Sequence, residues 1–244
     1  MRIPRIYHSG QLTTGTEVEL TQEASHHLVR VLRLSLHAQV VIFNGEGGEY
    51  KTRISKLNKK NVSVFIEDFH SIQKESPLKI HLAQSIVKSD KMDLVIQKAT
   101  ELGVESLTPL YTQHGEHKYS PDRLDKRLQH WRNIAISASE QCGRDTLMTI
   151  HGPQEIIEFV GQQNQKMTCF ILHPNVSTKF SNSLIIERPI ILLIGPEGGL
   201  SEYEVEHAAK QGFKMVNFGP RIMRAETAAI ASLAVIQYLW GDIG

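Results

Sequence analysis

A chain of 244 residues with 41% apolar and 22% charged side chains has the composition of an ordinary globular protein, long enough for one large domain or two small ones. A net charge of +1 gives no bulk sign of a nucleic-acid partner, so any such partner must be read from where the basic residues cluster. No apolar run nears the roughly 18 residues that span a bilayer, MRIPRIYHSG lacks a secretory signal's apolar stretch, and Cys142 and Cys169 form neither metal-ligand spacing nor a disulfide framework; a cytoplasmic protein off the membrane is expected.

In chain order, the first seventy or so residues read as short strands. VVIF (Val40 to Phe43) and NVSVFIEDF (Asn61 to Phe69) are rich in β-branched and aromatic residues, and NGEGG and LNKKN between them supply turn chemistry. A helix is expected over Ala24 to Leu34, with Leu28, Val31 and Leu32 on one face. Basic residues cluster twice. KTRISKLNKK (Lys51 to Lys60) has five and no acid, and HHLVRVLR supplies His26, His27, Arg30 and Arg33. Each cluster reads by itself as a solvated face. The polar SIQKESP (Ser71 to Pro77) reads as a linker, dividing a small β domain, 1–73, from a second domain, 74–244.

Beyond Pro77, strands and helices alternate. KIHLAQSIV is a buried strand, and a helix starting near Ser89 or Asp90 carries Met92, Val95, Ile96, Ala99 and Leu102 at helical spacing, with Gly103 at C′. VESLTPLY is strand-like. Ser120 and Pro121 form an N-cap and first-turn pair for a long helix through Leu124, Leu128, Trp131, Ala135 and Ala138 to Gly143. MTCFIL and PIILLIG are wholly apolar strands of the kind covered on both faces. Ser201 and Glu204 make a capping box for a helix ending near Gly212, FKMVNF is the next strand, and Ala225 to Trp240 the last helix. Such alternation means an α/β domain with a largely parallel sheet.

Two segments carry chemistry. In LLIGPEGGLSEYE an apolar strand runs into Gly195, Pro196, Glu197, Gly198 and Gly199, then into a capped helix, where the ligands of open α/β sheets bind. In NFGPRIMRAETA a strand meets a second Gly-Pro loop bearing Arg221 and Arg224, after which Glu226 and Thr227 open a helix. Neither loop has the Lys-Ser/Thr of a phosphate-cradling loop or G-x-G-x-x-G spacing. The alternative for the first is a plain turn, and for the second exposed Arg221 and Arg224 with Glu226 merely favouring the helix dipole, but two such units in succession point to adjacent loops forming one pocket. His114, Glu116 and His117 in QHGEH are too few to hold a metal without further ligands, and no metal is expected.

GPEGG followed by GPRIMRAETA resembles the SPOUT class of methyltransferases, specifically the RsmE family of 16S ribosomal RNA uridine methyltransferases. MRIPRIYH, HHLVRVLR, ESPLKIHLAQ, KMDLVIQKATELGV, ISASEQCGR and ILHP are similar to that family's segments as well, so the likeness spans nearly the whole chain. Ala225 stands where a slightly polar residue is expected, a mild departure.

The resemblance implies an amino-terminal PUA-like β-barrel that helps bind RNA, an α/β domain holding a deep trefoil knot, and homodimers whose active sites the partner subunit completes. It implies S-adenosyl-L-methionine as cofactor, 16S ribosomal RNA or the small ribosomal subunit as partner, and N3-methyluridine as product. Carried onto this sequence, the cofactor would meet Leu172, His173 and Pro174 after one strand, Ile194 with Gly195 to Gly199 after the next, and Phe218, Gly219, Pro220, Arg221, Ile222 and Met223 after the third. RNA would meet Arg2, Arg5, His27, Arg30 and Arg33. Arg224 is the first candidate to stabilise the uridine anion and Arg144 the second; Glu226 or Glu197 would hold an arginine in place. No side chain identifies itself as the general base. Two other readings stay open: a non-catalytic RNA-binding protein keeping the fold, against which the intact loops argue, and a nucleotide-dependent enzyme, against which the absent loop lysine argues.

Overall fold

The computed structural model describes residues 3–58, 61–72, 74–116, 118–163, 166–174, 176–181, 184 and 189–244. The chain divides into two compact units, Met1–Glu75 with Ser139–Leu147, and Ser76–Ala138 with Met148–Gly244.

In the first unit, β1 (Arg5–Tyr7), β2 (Glu17–Glu19), β3 (Gln39–Phe43), β4 (Glu49–Leu57) and β5 (Val62–His70) pair in the order β1-β3-β4-β5-β2, antiparallel except for β1 and β3. Ile6, Val40, Ile42, Ile54, Val64 and Ile66 close a core with Leu28. The basic run Lys51 to Lys60 becomes most of β4, where Thr52 and Ile54 are buried and Lys51 and Arg53 exposed, as the two-residue period of a strand requires. Arg53 pairs with Glu67 at 3.2 Å and Lys56 with Glu17 at 2.6 Å. That supports the solvated-face reading; Lys59 and Lys60 lie outside the described residues.

The helix expected over Ala24 to Leu34 is shorter and irregular. Thr21 caps α1 (Gln22–His26) by accepting the Ala24 N–H, and the chain then widens into a π-helical turn over His27–Val31. A π turn adds a residue to the repeat, which breaks the i, i+3, i+4 register behind the expected apolar face. Leu28 is buried, but Val31 is 59% and Leu32 39% exposed.

The second unit is built on seven strands, β6 (Ile80–Ser85), β7 (Ser106–Tyr111), β8 (Thr149–Ile150), β9 (Gln154–Glu155), β10 (Thr168–Leu172), β11 (Ile190–Ile194) and β12 (Lys214–Val216). They run in the order β12-β10-β11-β6-β7-β8, with β9 also on β7, and every pairing is parallel. Five helices accompany them: α2 (Ser89–Glu101), α3 (Pro121–Cys142), α4 (Ile156–Gly161), α5 (Glu202–Lys210) and α6 (Ala225–Trp240).

Alternate residues of the sheet face two cores. Leu82, Phe170 and Leu192 pack with Met92 and Ile96 of α2 and Leu233 and Ile236 of α6, while Ala83, Ile171 and Leu193 pack with Phe159 of α4 and Ala208 of α5. Every residue of β11 is therefore buried, which is why IILLI reads as an unbroken apolar run. β8, β9 and α4, elements of two, two and six residues, are too short to show a period in the sequence. Among the described residues, no helix is long and apolar enough to cross a membrane.

Candidate active site

β12, β10 and β11 are neighbours in the sheet, and their carboxyl ends open onto one cavity of about 250 Å3. Leu172 and His173 enter it from β10, Ile194 and Gly195 from β11, and Val216 and Asn217 from β12. Ligands of open parallel sheets bind at this end because the loops there diverge and leave a crevice. His173 extends the β10–β12 ladder by donating its N–H to the Val216 carbonyl at 3.0 Å, so the first loop leaves the sheet from a fixed point.

The second loop turns sharply, with the Gly199 N–H donating to the Pro196 carbonyl at 3.0 Å and Gly199 at φ +74°. Ser201 then caps α5 in the expected capping box, its N–H and hydroxyl both donating to the Glu204 carboxylate. Glu204 also accepts the Gln113 N–H at 2.8 Å, and His114 Nδ1 lies 3.2 Å from the Gly199 carbonyl. The loop after β7 is thus laced to the glycine loop, a connection with no sequence signal.

Most expected cofactor residues line the cavity: Leu172, His173, Pro174, Ile194, Gly195, Pro196, Glu197, Gly199, Phe218, Gly219, Arg221, Ile222 and Met223. Gly198 and Pro220 do not. A Cβ at Gly198 would come within 3.0 Å of His114 Cβ, so this glycine makes room for the neighbouring loop. Leu200, Val216, Asn217, Ala225 and Ala228 line the cavity without having been expected. Ala228 was findable, since it sits one turn into α6 on the face of Ala225.

The lining is mainly apolar and, among the described residues, holds no lysine and one arginine, Arg221. It fits a flat, weakly charged ligand contacted by backbone groups, and lacks the amide-and-lysine cradle of a phosphate. Gly219, at φ +99° with nothing within 4 Å of a built Cβ, keeps its backbone open to an incoming group.

Arg224 is the N-cap of α6, exposed, between cavity-lining Met223 and Ala225, and its side chain makes no hydrogen bond or ion pair among the described residues. Glu226, in the first turn of α6, holds Lys91 at 3.4 Å with its side chain 8% exposed, and so anchors a lysine of α2 rather than an arginine. Arg144 belongs to the first unit, where its buried guanidinium donates from Nε and Nη2 to Glu75 at 3.0 and 2.6 Å.

Arg5, expected to face RNA, is held within the first unit. Its guanidinium donates to Glu49, to the Ser139 carbonyl and to the Arg144 carbonyl, and lies over the Phe43 ring at 4.5 Å. His27, Arg30 and Arg33 are exposed, with Arg33 at φ +52°, while Arg2 lies outside the described residues. His117 of QHGEH also lies outside them, and among the described residues no group of three or more His, Cys, Asp or Glu is placed to hold a metal.

The sequence profile of the RNA methyltransferase domain matches residues 74–237, and that of the RNA methyltransferase PUA domain matches residues 20–67. Ribosomal RNA small subunit methyltransferase E of Buchnera aphidicola from Schizaphis graminum is 34% identical, with 99% of this chain and 98% of that protein covered. The chain belongs to the ribosomal RNA small subunit methyltransferase E family. The Bacillus subtilis member is 29% identical over 93% of this chain and 92% of its own length. The Neisseria gonorrhoeae member, solved bound to S-adenosyl methionine, superposes with a TM-score of 0.93 at 34% identity, with both chains covered completely. A Legionella pneumophila protein solved with bound SAM does so with a TM-score of 0.95 at 39% identity, again over the whole of both chains. The fold is thus the family's parallel-sheet α/β methyltransferase domain behind an amino-terminal PUA domain.

Proposed function

We propose that this chain transfers a methyl group from S-adenosyl-L-methionine to N3 of one uridine in 16S ribosomal RNA. The observation that carries the reading is the mainly apolar cavity at the ends of β10, β11 and β12, lined by no lysine among the described residues, in a chain that matches the family from end to end. The cofactor's adenine would lie between the Gly195–Gly199 and Phe218–Met223 loops, where backbone groups can read its edge, with Leu172, His173 and Pro174 closing the third side. Bound there, it supplies an electrophilic methyl group on a sulfonium sulfur.

The rest falls to this chain's residues. Methyl transfer is an in-line displacement, so loops that hold donor and acceptor aligned supply much of the acceleration. Uridine N3 becomes nucleophilic as its proton leaves, and negative charge spreads onto the flanking carbonyl oxygens. Arg224, beside the cavity and unpaired among the described residues, is the group to meet that charge. Arg144 is the weaker candidate, because its fork already serves Glu75. Glu226 acts through Lys91 at the start of α6.

The amino-terminal domain, 1–73 in this reading, supplies RNA affinity through His27, Arg30 and Arg33. The catalytic domain, 74–244, carries the family's trefoil knot and works in the cytoplasm as a homodimer. Exposed Tyr203, Ile222, Tyr238 and Ile243 are the kind of apolar surface a second copy covers. The test is direct. Incubated with labelled S-adenosylmethionine and small subunits lacking N3-methyluridine, the protein should label a single uridine at N3. Cofactor binding without transfer to any RNA would favour a non-catalytic RNA-binding protein instead.

A further inference from the structure

The loops around the cavity leave three different strands, and one side chain ties two of them together. Asn217 follows β12 directly and lines the cavity. Its Nδ2 donates to the carbonyl of Pro174 in the loop after β10. Its Oδ1 accepts the N–H of Gly219, 2.6 Å away, at the head of the third loop. Its own N–H donates to the Thr178 carbonyl at 2.7 Å. The partners force the orientation of the carboxamide, since a backbone carbonyl can only accept and a backbone N–H can only donate.

We propose that Asn217 is a positioning residue for the cofactor, setting the gap between the Pro174 and Gly219 loops without touching the reacting atoms. The proposal rests on the cofactor reading above. Gly219 sits at φ +99°, where the chain is intrinsically free, and the bond from its N–H to Oδ1 holds that turn in one state. Loops already held apart at the ligand's width need not be ordered when it binds, which saves affinity otherwise lost to ordering. Asparagine suits the role because one short side chain must donate at one end and accept at the other. Aspartate keeps the acceptor toward Gly219 but, ionised, sets a second acceptor against the Pro174 carbonyl.

The test compares wild type, Asn217→Ala and Asn217→Asp. S-adenosylmethionine is titrated calorimetrically into each, and methyl transfer to small subunits is measured over a range of cofactor concentrations up to saturation. Loss of the clamp should weaken cofactor binding about tenfold in Asn217→Ala, and at least as much in Asn217→Asp despite its retained Gly219 bond. The cofactor KM should rise in parallel while kcat stays within about twofold. If wild type binds and both variants bind equally well, the clamp is refuted and the cofactor reading stands. A fall in kcat with unchanged affinity would also refute it. A wild-type protein that binds no S-adenosylmethionine would overturn the cofactor reading and the clamp with it. Should Asn217→Ala fail to fold, Asn217→Asp, which loses only one bond, decides the matter.

Discussion

Three arginines singled out by their motifs differ in what already holds them. Arg144 is buried and Arg5 half-buried, each held by a carboxylate, and breaking a fully buried pair costs on the order of 3–5 kcal/mol, an upper bound here because Glu49 and Glu75 stay partly exposed. Alanine at either position would report on folding before chemistry. Arg224 is exposed and unpaired among the described residues, so its substitution reads function. If its guanidinium meets the uridine anion, Arg224→Ala should slow single-turnover methyl transfer by on the order of 10²–10³-fold, the scale of one lost oxyanion donor. Binding of cofactor and RNA should change far less. Arg224→Lys should recover little, because an ammonium lacks the planar fork. The opposite pattern, with weaker RNA binding, an intact rate at saturating RNA and good rescue by lysine, would make Arg224 a phosphate grip. Residue identity alone could not separate these arginines, since the burial of Arg144 and the carboxylate that holds it arise only on folding.

At the level of elements, local chemistry was the most legible. The Ser201–Glu204 capping box forms as its spacing demands, and α6 spans Ala225–Trp240 as expected. The π turn at His27–Val31 was not legible, because an inserted residue leaves composition unchanged while shifting every side chain after it. Nor was the setting of His81 on β6. Its ring stacks on Phe159 at 5.5 Å, lies 5.7 Å from that of His151, and has Nδ1 2.7 Å from Ser106 Oγ. Burial, and secondarily His151, push its pKa from 6.5 down to about 4. The folded protein therefore prefers the neutral ring, and the unfolded chain binds more protons between those two values. Stability from this site is fully present above about pH 6.5 and lost as pH falls toward 4, by at most about 3 kcal/mol. Melting temperature should drop over that interval, and His81→Gln should flatten the slope. Identical slopes in both proteins would show that His81 does not set the acid limit.

At the scale of the whole molecule, two expectations concern partners. Arg30 and Arg33 are exposed and make no ion pair among the described residues, whereas Arg53 and Lys56 of the longer basic run are already matched by carboxylates. Reversing charge with Arg30→Glu and Arg33→Glu should weaken RNA binding and reduce its salt dependence, leaving cofactor affinity unchanged. Undiminished RNA affinity would move the RNA surface elsewhere. For assembly, light scattering at micromolar concentration should give about twice the 27.5 kDa chain mass. An active particle of single-chain mass would exclude shared active sites.

The sequence by itself determined the longer elements and the two glycine loops, because helical and strand periods, caps and glycine turns are written in neighbouring residues. It also carried the family, through segments spread over nearly the whole length. Only the tertiary structure decided what those loops meet. Gly198 clears His114, Glu204 reaches Gln113, Asn217 reaches Pro174, and Arg144 finds Glu75 sixty-nine positions away. The physical reason is range. A period or a cap is an interaction over three or four residues, whereas each of these contacts exists only after packing or strand order has brought distant segments within hydrogen-bonding distance.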